Sequence, residues 1–253
     1  MIKDFQTYIS EGLLDRNQSE FTVRKTDKGI EQIYIPKTKD ELYRYISLDI
    51  EQAKEDRTYP DVNLKNIDVS ELGDDELNDL FGDIYNQINP DISNWNIKYI
   101  PSNFFYNNKQ IKEFTIPNSA TSIGDYAFYN CGNLISVTIP NSVGIIGTGA
   151  FSWCNGLTSI EIPNNITNIG NMTFYECSNL TSVEIPDSVT SIGNQVFYNC
   201  TSLTSVTIPN SVTHIKYNAF YRCNGLTSVT ISKLCHIDAK AFPKNCKIIR
   251  RDD

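Results

Sequence analysis

The sequence predicts two unlike parts, an acidic α+β domain over residues 1–92 followed by a parallel β solenoid over residues 93–253. Three observations lead there. Ile-Pro pairs recur at 116/117, 139/140, 162/163, 185/186 and 208/209, each 23 residues after the last, and a fixed period of this length marks a stacked repeat. Residues 1–99 carry 12 basic and 21 acidic side chains, net −9, against 10 and 9, net +1, in residues 100–253, so a boundary falls near Pro90. The front part carries helix-capping and hairpin signals.

Composition bounds the rest. With 40% apolar and 21% charged residues in 253, the chain is globular and long enough for one or two domains. A net charge of −8 argues against a nucleic acid backbone as partner. Charge-free runs such as Ser188 to Ile215 are full of Asn, Ser, Thr and Gly and contain Pro209, so no membrane span is expected. The opening Met1-Ile2-Lys3-Asp4-Phe5-Gln6 lacks the basic start, apolar core and cleavage site of a secretory signal. A cytoplasmic or virion-associated product is therefore expected.

In the front part, Phe5, Tyr8, Ile9, Leu13 and Leu14 fall at helical spacing. Phe21-Thr22-Val23 and Ile33-Tyr34-Ile35 flank Thr26-Asp27-Lys28-Gly29, where Gly supports a tight turn, and predict a hairpin. Thr38-Lys39-Asp40-Glu41 is a capping box opening a helix through Leu42, Tyr45, Ile46, Ile50 and Ala53. Leu77, Leu80, Phe81, Ile84 and Ile88 predict a third helix. This domain caps the open end of the solenoid, since a terminal repeat otherwise exposes an apolar edge, or docks the chain to something else.

The rear part repeats L-x-S-V-x-I-P-x-S-V-x-x-I-G-x-x-A-F-x-x-C. Phe105, Phe128, Phe151, Phe174, Phe197 and Phe220 keep the 23-residue step, as do Cys131, Cys154, Cys177, Cys200, Cys223 and Cys246, with Asn108 in the first slot. Leu134, Leu157, Leu180, Leu203 and Leu226 form a third column, preceded by Ile111 and followed by Ile249. The L-x-x-V-x-I segment alternates as a half-buried strand does, and Pro ends it. One unit cannot bury its own apolar face, so successive units stack into continuous internal columns.

This repeat closely resembles the BspA-like leucine-rich repeats of bacterial and protist surface proteins and some gut-phage genomes, over about residues 100–250. The resemblance implies a leucine-rich repeat solenoid with an adhesion or recognition role. Just before the array, Asp91-Ile92-Ser93-Asn94-Trp95 is similar to a D-x-S-N-W repeat that occurs beside BspA units. Trp95 reads most simply as an apolar cap over the first coil.

Chemistry is sparse. Phosphate-binding, dinucleotide, zincin and nucleophile-elbow motifs are missing, and no catalytic residue, metal or cofactor is assigned. His214 and His236, the only histidines, stack in one column without a carboxylate or thiol to complete a metal set. Glu161 and Glu184 stack one coil apart without an aromatic platform or pocket wall, and read as solvated carboxylates. Stacked thiols point the same way instead of toward each other, which argues for a reduced internal ladder. Cys235, aligned with Thr190 and Thr213, is expected to face outward and to be the reactive thiol.

Two surfaces remain as candidates. Directly after the Phe column run Tyr106, Tyr129, Ser152, Tyr175, Tyr198 and Tyr221, with Trp153 beside the one gap. These rings either seal the coil by stacking or serve as interface anchors, roles that are compatible. The strand face offers Ser159, Glu161, Ser182, Glu184, Ser205 and Thr207. Lys216, Arg222, Lys233, Lys240, Lys244, Lys247, Arg250 and Arg251 crowd the end, as a solvated, edge-protecting cap or a weak acidic contact. The expectation is a non-catalytic interaction module with a protein partner. A structural component of a phage particle, docked through the front domain, is the alternative. Oligomeric state is not readable.

Overall fold

The computed structural model describes residues 21–26, 29–34, 61–63 and 89–252. The three helices expected in the front part lie outside the described residues. The expected hairpin is present: β1 (Phe21–Thr26) and β2 (Gly29–Tyr34) pair antiparallel from Phe21↔Tyr34 to Thr26↔Gly29. β3 (Asp61–Asn63) pairs in parallel with β4 (Asn89–Asp91).

From there the coils contribute two short strands each, except the one over residues 157–170, where the first strand is reduced to a single bridge at Glu161. In chain order these are β5 (Tyr99–Ile100), β6 (Glu113–Thr115), β7 (Ser122–Ile123), β8 (Ser136–Thr138), β9 (Ile145–Ile146), β10 (Asn168–Ile169), β11 (Ser182–Glu184), β12 (Ser191–Ile192), β13 (Ser205–Thr207), β14 (His214–Ile215), β15 (Ser228–Ser232), β16 (His236–Ile237) and β17 (Lys247–Arg251). All pairings in the array are parallel: β6–β8, β11–β13 and β15–β17 on one side, β5–β7–β9 and β10–β12–β14–β16 on the other. A parallel β solenoid is the fold, and no helix occurs among the described residues of the array.

The interior is built as the repeat predicts. Phe105, Phe128, Phe151, Phe174, Phe197 and Phe220 are fully buried. Successive rings from Phe105 to Phe220 stand 5.0 to 5.6 Å apart, and Phe242 extends the stack 5.0 Å beyond Phe220. The Leu, Val and Ile columns run beside them, and Trp95 is buried at the head of the array. At position 124, after the second strand of its coil, close approach requires glycine: a Cβ on Gly124 would sit 2.5 Å from the backbone N of Ser102.

The third side of each coil is an arch with two left-handed residues four positions apart. Asn103, Tyr126, Met172, Gln195, Asn218 and Lys240 occupy the first site with φ of 56–62°, and Asn107, Asn130, Trp153, Glu176, Asn199 and Arg222 the second with φ of 57–65°. A non-glycine residue there costs about 1 kcal/mol. The conformation turns the N–H along the stacking axis: the amides of Asn103, Asn107, Tyr126, Asn130 and Trp153 all donate to carbonyls of the next coil, at 2.7–3.0 Å.

Two expectations need correction. Cys235 is buried, 3% exposed, because the coil is one residue short: Cys235 N–H donates to Ser232 O as Val212 N–H donates to Pro209 O. It therefore fills the inward valine slot, and it is the outward Thr slot that is deleted. Ile249 leaves the Leu column. The last coil is shortened further, so Ile249 pairs with Thr230 on the outer face and is 41% exposed.

One interface differs from the rest. Neither β8 nor β9 pairs with the following coil, and the Phe151–Phe174 separation of 5.6 Å is the widest in the stack. Gly144 stands here in a threonine column whose hydroxyls otherwise bridge coils, as Thr121 does to Lys98 O, Thr190 to Thr167 O and Thr213 to Thr190 O. A Cβ on Gly144 has open space, with its nearest neighbour 4.0 Å away. In this column a threonine hydroxyl donates to the preceding coil, so Gly144→Thr aims a hydroxyl at Thr121 O across the paired β7–β9 interface and lowers the entropy of the unfolded chain, and a gain of roughly 0.5–1 kcal/mol is expected in urea unfolding. An unchanged or lower midpoint would contradict the fit of a threonine at this position of the column.

Candidate interaction surfaces

The tyrosine column lies on the arch side, placed there because each residue follows the buried Phe. Tyr106 and Tyr129 stack at 4.8 Å and 10°, Tyr175 and Tyr198 at 4.9 Å and 6°, and Tyr198 and Tyr221 tilt at 5.8 Å. Tyr129, Tyr175, Tyr198 and Tyr221 are half-buried and Tyr106 is exposed. Sealing and exposure thus coexist. In stacks this close the ring faces cover one another, so edges and phenol hydroxyls are what a partner meets. Burial pushes the Tyr175 phenol above its ordinary range, with Glu176 adding to the effect, so it remains a neutral donor.

Sequence reasoning passed over the polar companions of this column. Asn199 Nδ2 donates to Glu176 Oε2 at 2.5 Å, and the Arg222 guanidinium lies over the Tyr198 ring, 5.8 Å from its centroid. Both Glu176 and Arg222 hold the second left-handed site. The signal that finds them is their position one residue after each tyrosine.

The gap at Ser152 is compensated locally. Ser152 is buried and its hydroxyl donates to Met172 O at 2.7 Å. Trp153, 38% exposed, leans on Tyr175 at 6.1 Å, and Tyr126 packs edge-on to Tyr129 at 5.9 Å. Tyr126 also lies across the backbone of Gly149, where a Cβ would come within 2.6 Å of Tyr126 Cε1 and 3.2 Å of Ser152 Oγ. Small residues at 149 and 152 make room for the Tyr126 ring.

On the strand face, Ser182 pairs with Ser205 and Glu184 with Thr207, and Glu161 bridges to Glu184. Ser159, Glu161, Ser182, Glu184, Ser205 and Thr207 are all exposed. A shallow groove lined by Asn164, Glu184, Asp187, Thr207 and Asn210 ends at Arg251. The Arg251 guanidinium donates to Ile208 O at 2.6 Å and to Asn210 Oδ1.

The histidines stack as predicted, ring centroids 5.9 Å apart. Asp238, which sequence reasoning did not select, lies with Oδ1 3.1 Å from His236 Nε2. Among the described residues no three His, Cys, Asp or Glu side chains converge on a metal position. The thiols of Cys131, Cys154, Cys177, Cys200 and Cys223 donate to the carbonyls of Phe105, Phe128, Phe151, Phe174 and Phe197 at 2.9–3.2 Å. Burial pushes Cys131 and Cys177 up to about 12 and Cys154 and Cys200 well above the thiol range. These thiols are packing groups, not nucleophiles.

A two-ladder coil with a left-handed arch and an internal Phe-Cys-Leu interior defines a leucine-rich repeat solenoid. Residues 55–157 and 121–250 match the BspA type leucine-rich repeat region in six copies, and the chain belongs to that family. It is similar to the crystal structure of a leucine-rich repeat protein from Eubacterium ventriosum, at 25% identity and a TM-score of 0.54 over 63% of this chain and 45% of that one. The chain thus spans less than half the length of that protein. It also resembles the T. pallidum leucine-rich repeat protein, at 20% identity and a TM-score of 0.52 over 92% of this chain and 84% of that one, a likeness of fold. No curated protein matches it. No helix among the described residues is long and apolar enough to cross a membrane.

Two predictions follow from this packing. Gly149→Ala adds a left-handed alanine and a clash with Tyr126, and is expected to cost about 1–3 kcal/mol. Combining it with Tyr126→Ala removes the clash, so the double-mutant cycle shows positive coupling; additive losses would contradict the contact. For the thiols, the folded-state pKa lies above the unfolded one, so unfolded chain binds fewer protons above the ordinary thiol pKa. Stability from Cys131, Cys154, Cys177 and Cys200 is fully present below about pH 9 and is lost as pH rises toward 12. Urea midpoints measured from pH 8 upward should fall, and Cys177→Ala should flatten the slope. A pH-independent midpoint would contradict it.

Proposed function

We propose that the protein is a non-catalytic protein-interaction module whose binding surface is the arch-side tyrosine column. The observation that carries this reading is the Tyr175–Tyr198–Tyr221 stack with Glu176, Asn199 and Arg222 beside it. Tyrosine and arginine are the residues from which interface anchors are most often built. Here they are held at coil spacing by a rigid interior, so little side-chain entropy is lost when a partner docks. The family supports recognition in general, and adhesion to another surface is the form of recognition we assign. Tyr106, Tyr129 and Trp153 extend the same surface. The strand face, with Ser159, Glu161, Ser182, Glu184, Ser205 and Thr207, is a uniform hydroxyl lawn that carries less partner-specific information. Residues 1–92 cap or attach the array in this scheme.

The test uses the full chain as bait in native lysate, beside Tyr175→Ala/Tyr198→Ala and Glu161→Lys/Glu184→Lys variants, with captured proteins quantified by mass spectrometry. Loss of a wild-type partner from the tyrosine variant, by roughly 30-fold for two anchors, with unchanged circular dichroism, is the expected result. Retention by the tyrosine variant and loss from the glutamate variant would move the site to the strand face.

A further inference from the structure

The second-strand side of the coils carries a pair of imidazoles that the tyrosine surface does not use. β14 and β16 run parallel with His214 opposite His236. Both side chains face outward and are exposed, that of His236 by 67%. Ser122, Ile145, Asn168 and Ser191 hold the same position in earlier coils, so two imidazoles meet at this one step. Their ring centres stand 5.9 Å apart with the planes at 53°. Two rings that share one ion, each nitrogen roughly 2.0–2.1 Å from the metal, stand about 5–6 Å apart centre to centre. The backbone ladder therefore already holds the rings at a chelating separation.

Hydrogen bonding decides which nitrogen of each ring is free. The Thr213 hydroxyl has one hydrogen and gives it to Thr190 O at 3.1 Å, as Thr190 gives its own to Thr167 O. The Thr213 oxygen also lies 2.9 Å from His214 Nδ1, so there it accepts, Nδ1 carries the ring hydrogen, and Nε2 keeps a bare lone pair. The Asp238 carboxylate can only accept, and its Oδ1 lies 3.1 Å from His236 Nε2. In the neutral form of that ring Nε2 carries the hydrogen and Nδ1 is bare. Histidines that ligate metals donate their other N–H to an acceptor in this way, which orients the ring and raises its basicity. Both acceptors are in place here before any ion arrives.

We infer that His214 Nε2 and His236 Nδ1 together bind one divalent transition ion on the outer face of β14 and β16, with Thr213 and Asp238 holding the two far nitrogens. Among the described residues no three His, Cys, Asp or Glu side chains form a metal set, so water completes the coordination and the ion faces solvent. Imidazole suits zinc, nickel and copper, and copper(II) binds such donors most tightly of the three. The two ligands come together only in the stacked coils, so the ion stabilises the folded chain.

Nickel(II) titrated into the metal-free full chain tests this, followed by calorimetry and by the ring-proton NMR signals of the only two histidines. The expected result is one ion at the pair, with both rings broadened together by the paramagnetic metal. Asn168 and Ser191 fill the same position in other coils, so His214→Asn and His236→Ser keep the fold, which circular dichroism checks. Each removes one of two linked donors and should weaken binding about 100-fold. Asp238→Ala removes an acceptor but no ligand, and should cost about 10-fold. No binding to the wild type, broadening of one ring alone, or undiminished affinity in the His214→Asn/His236→Ser double variant would overturn the site. Undiminished affinity in Asp238→Ala would overturn the part given to Asp238.

Discussion

No coil of 23 residues can satisfy its own backbone, and every other feature of the fold answers to that constraint. Around the second strand amides donate backward, as Thr121 does to Lys98 O and Gly147 to Ile123 O; on the arch they donate forward, as Phe128 does to Ala150 O and Phe174 to Val196 O, and so do Ile116 to Thr138 O and Ile185 to Thr207 O at the end of the first strand. Each coil interface is therefore stitched in both directions. The left-handed residues are the cost of the forward set, near 1 kcal/mol apiece, and the inter-coil hydrogen bonds, worth about that much each, offset them. The buried columns are the side-chain half of the same arrangement: equal spacing of the backbone forces equal spacing of Phe, Leu and Cys.

This one-dimensional organisation also explains why departures from the repeat stay local. At the coil around Gly144 both strand ladders open while the arch still bonds across, through Gly149 N–H to Asn171 O and Trp153 N–H to Tyr175 O. At the same coil Ser152 interrupts the tyrosines, and Tyr126 and Trp153 fill in from neighbouring positions. At the final coil Arg250 replaces an interior isoleucine. Each change alters what the surface offers without disturbing coils two steps away.

The fold was largely legible in the sequence because a stacking period repeats the same physical requirement at every unit, so Phe, Leu, Ile and Cys positions reinforce one another. Where the period breaks, that support disappears. The missing residue between Ile231 and Ile237 was countable, but whether it fell before or after Cys235 depended on which turn hydrogen bond survived. The shortened last coil moved Ile249 outward for the same reason. The tyrosine column was visible as a column. Its polar neighbours Glu176, Asn199 and Arg222 were not, since each coil writes that position with a different side chain and only the left-handed backbone is common to them. Asp238 was missed because the same corner carries Gly124, Gly147, Gly193 and Lys216 in other coils, so no column of carboxylates points to it.

Native-state hydrogen exchange read by mass spectrometry tests the two-way stitching most directly. The account predicts slow exchange for the arch amides that donate to the next coil, at Phe105, Phe128, Phe151, Phe174 and Phe197, and faster exchange in residues 167–170, which follow the unpaired strand interface. Rapid exchange of the arch amides, or protection of residues 167–170 equal to that of residues 190–193, would contradict it.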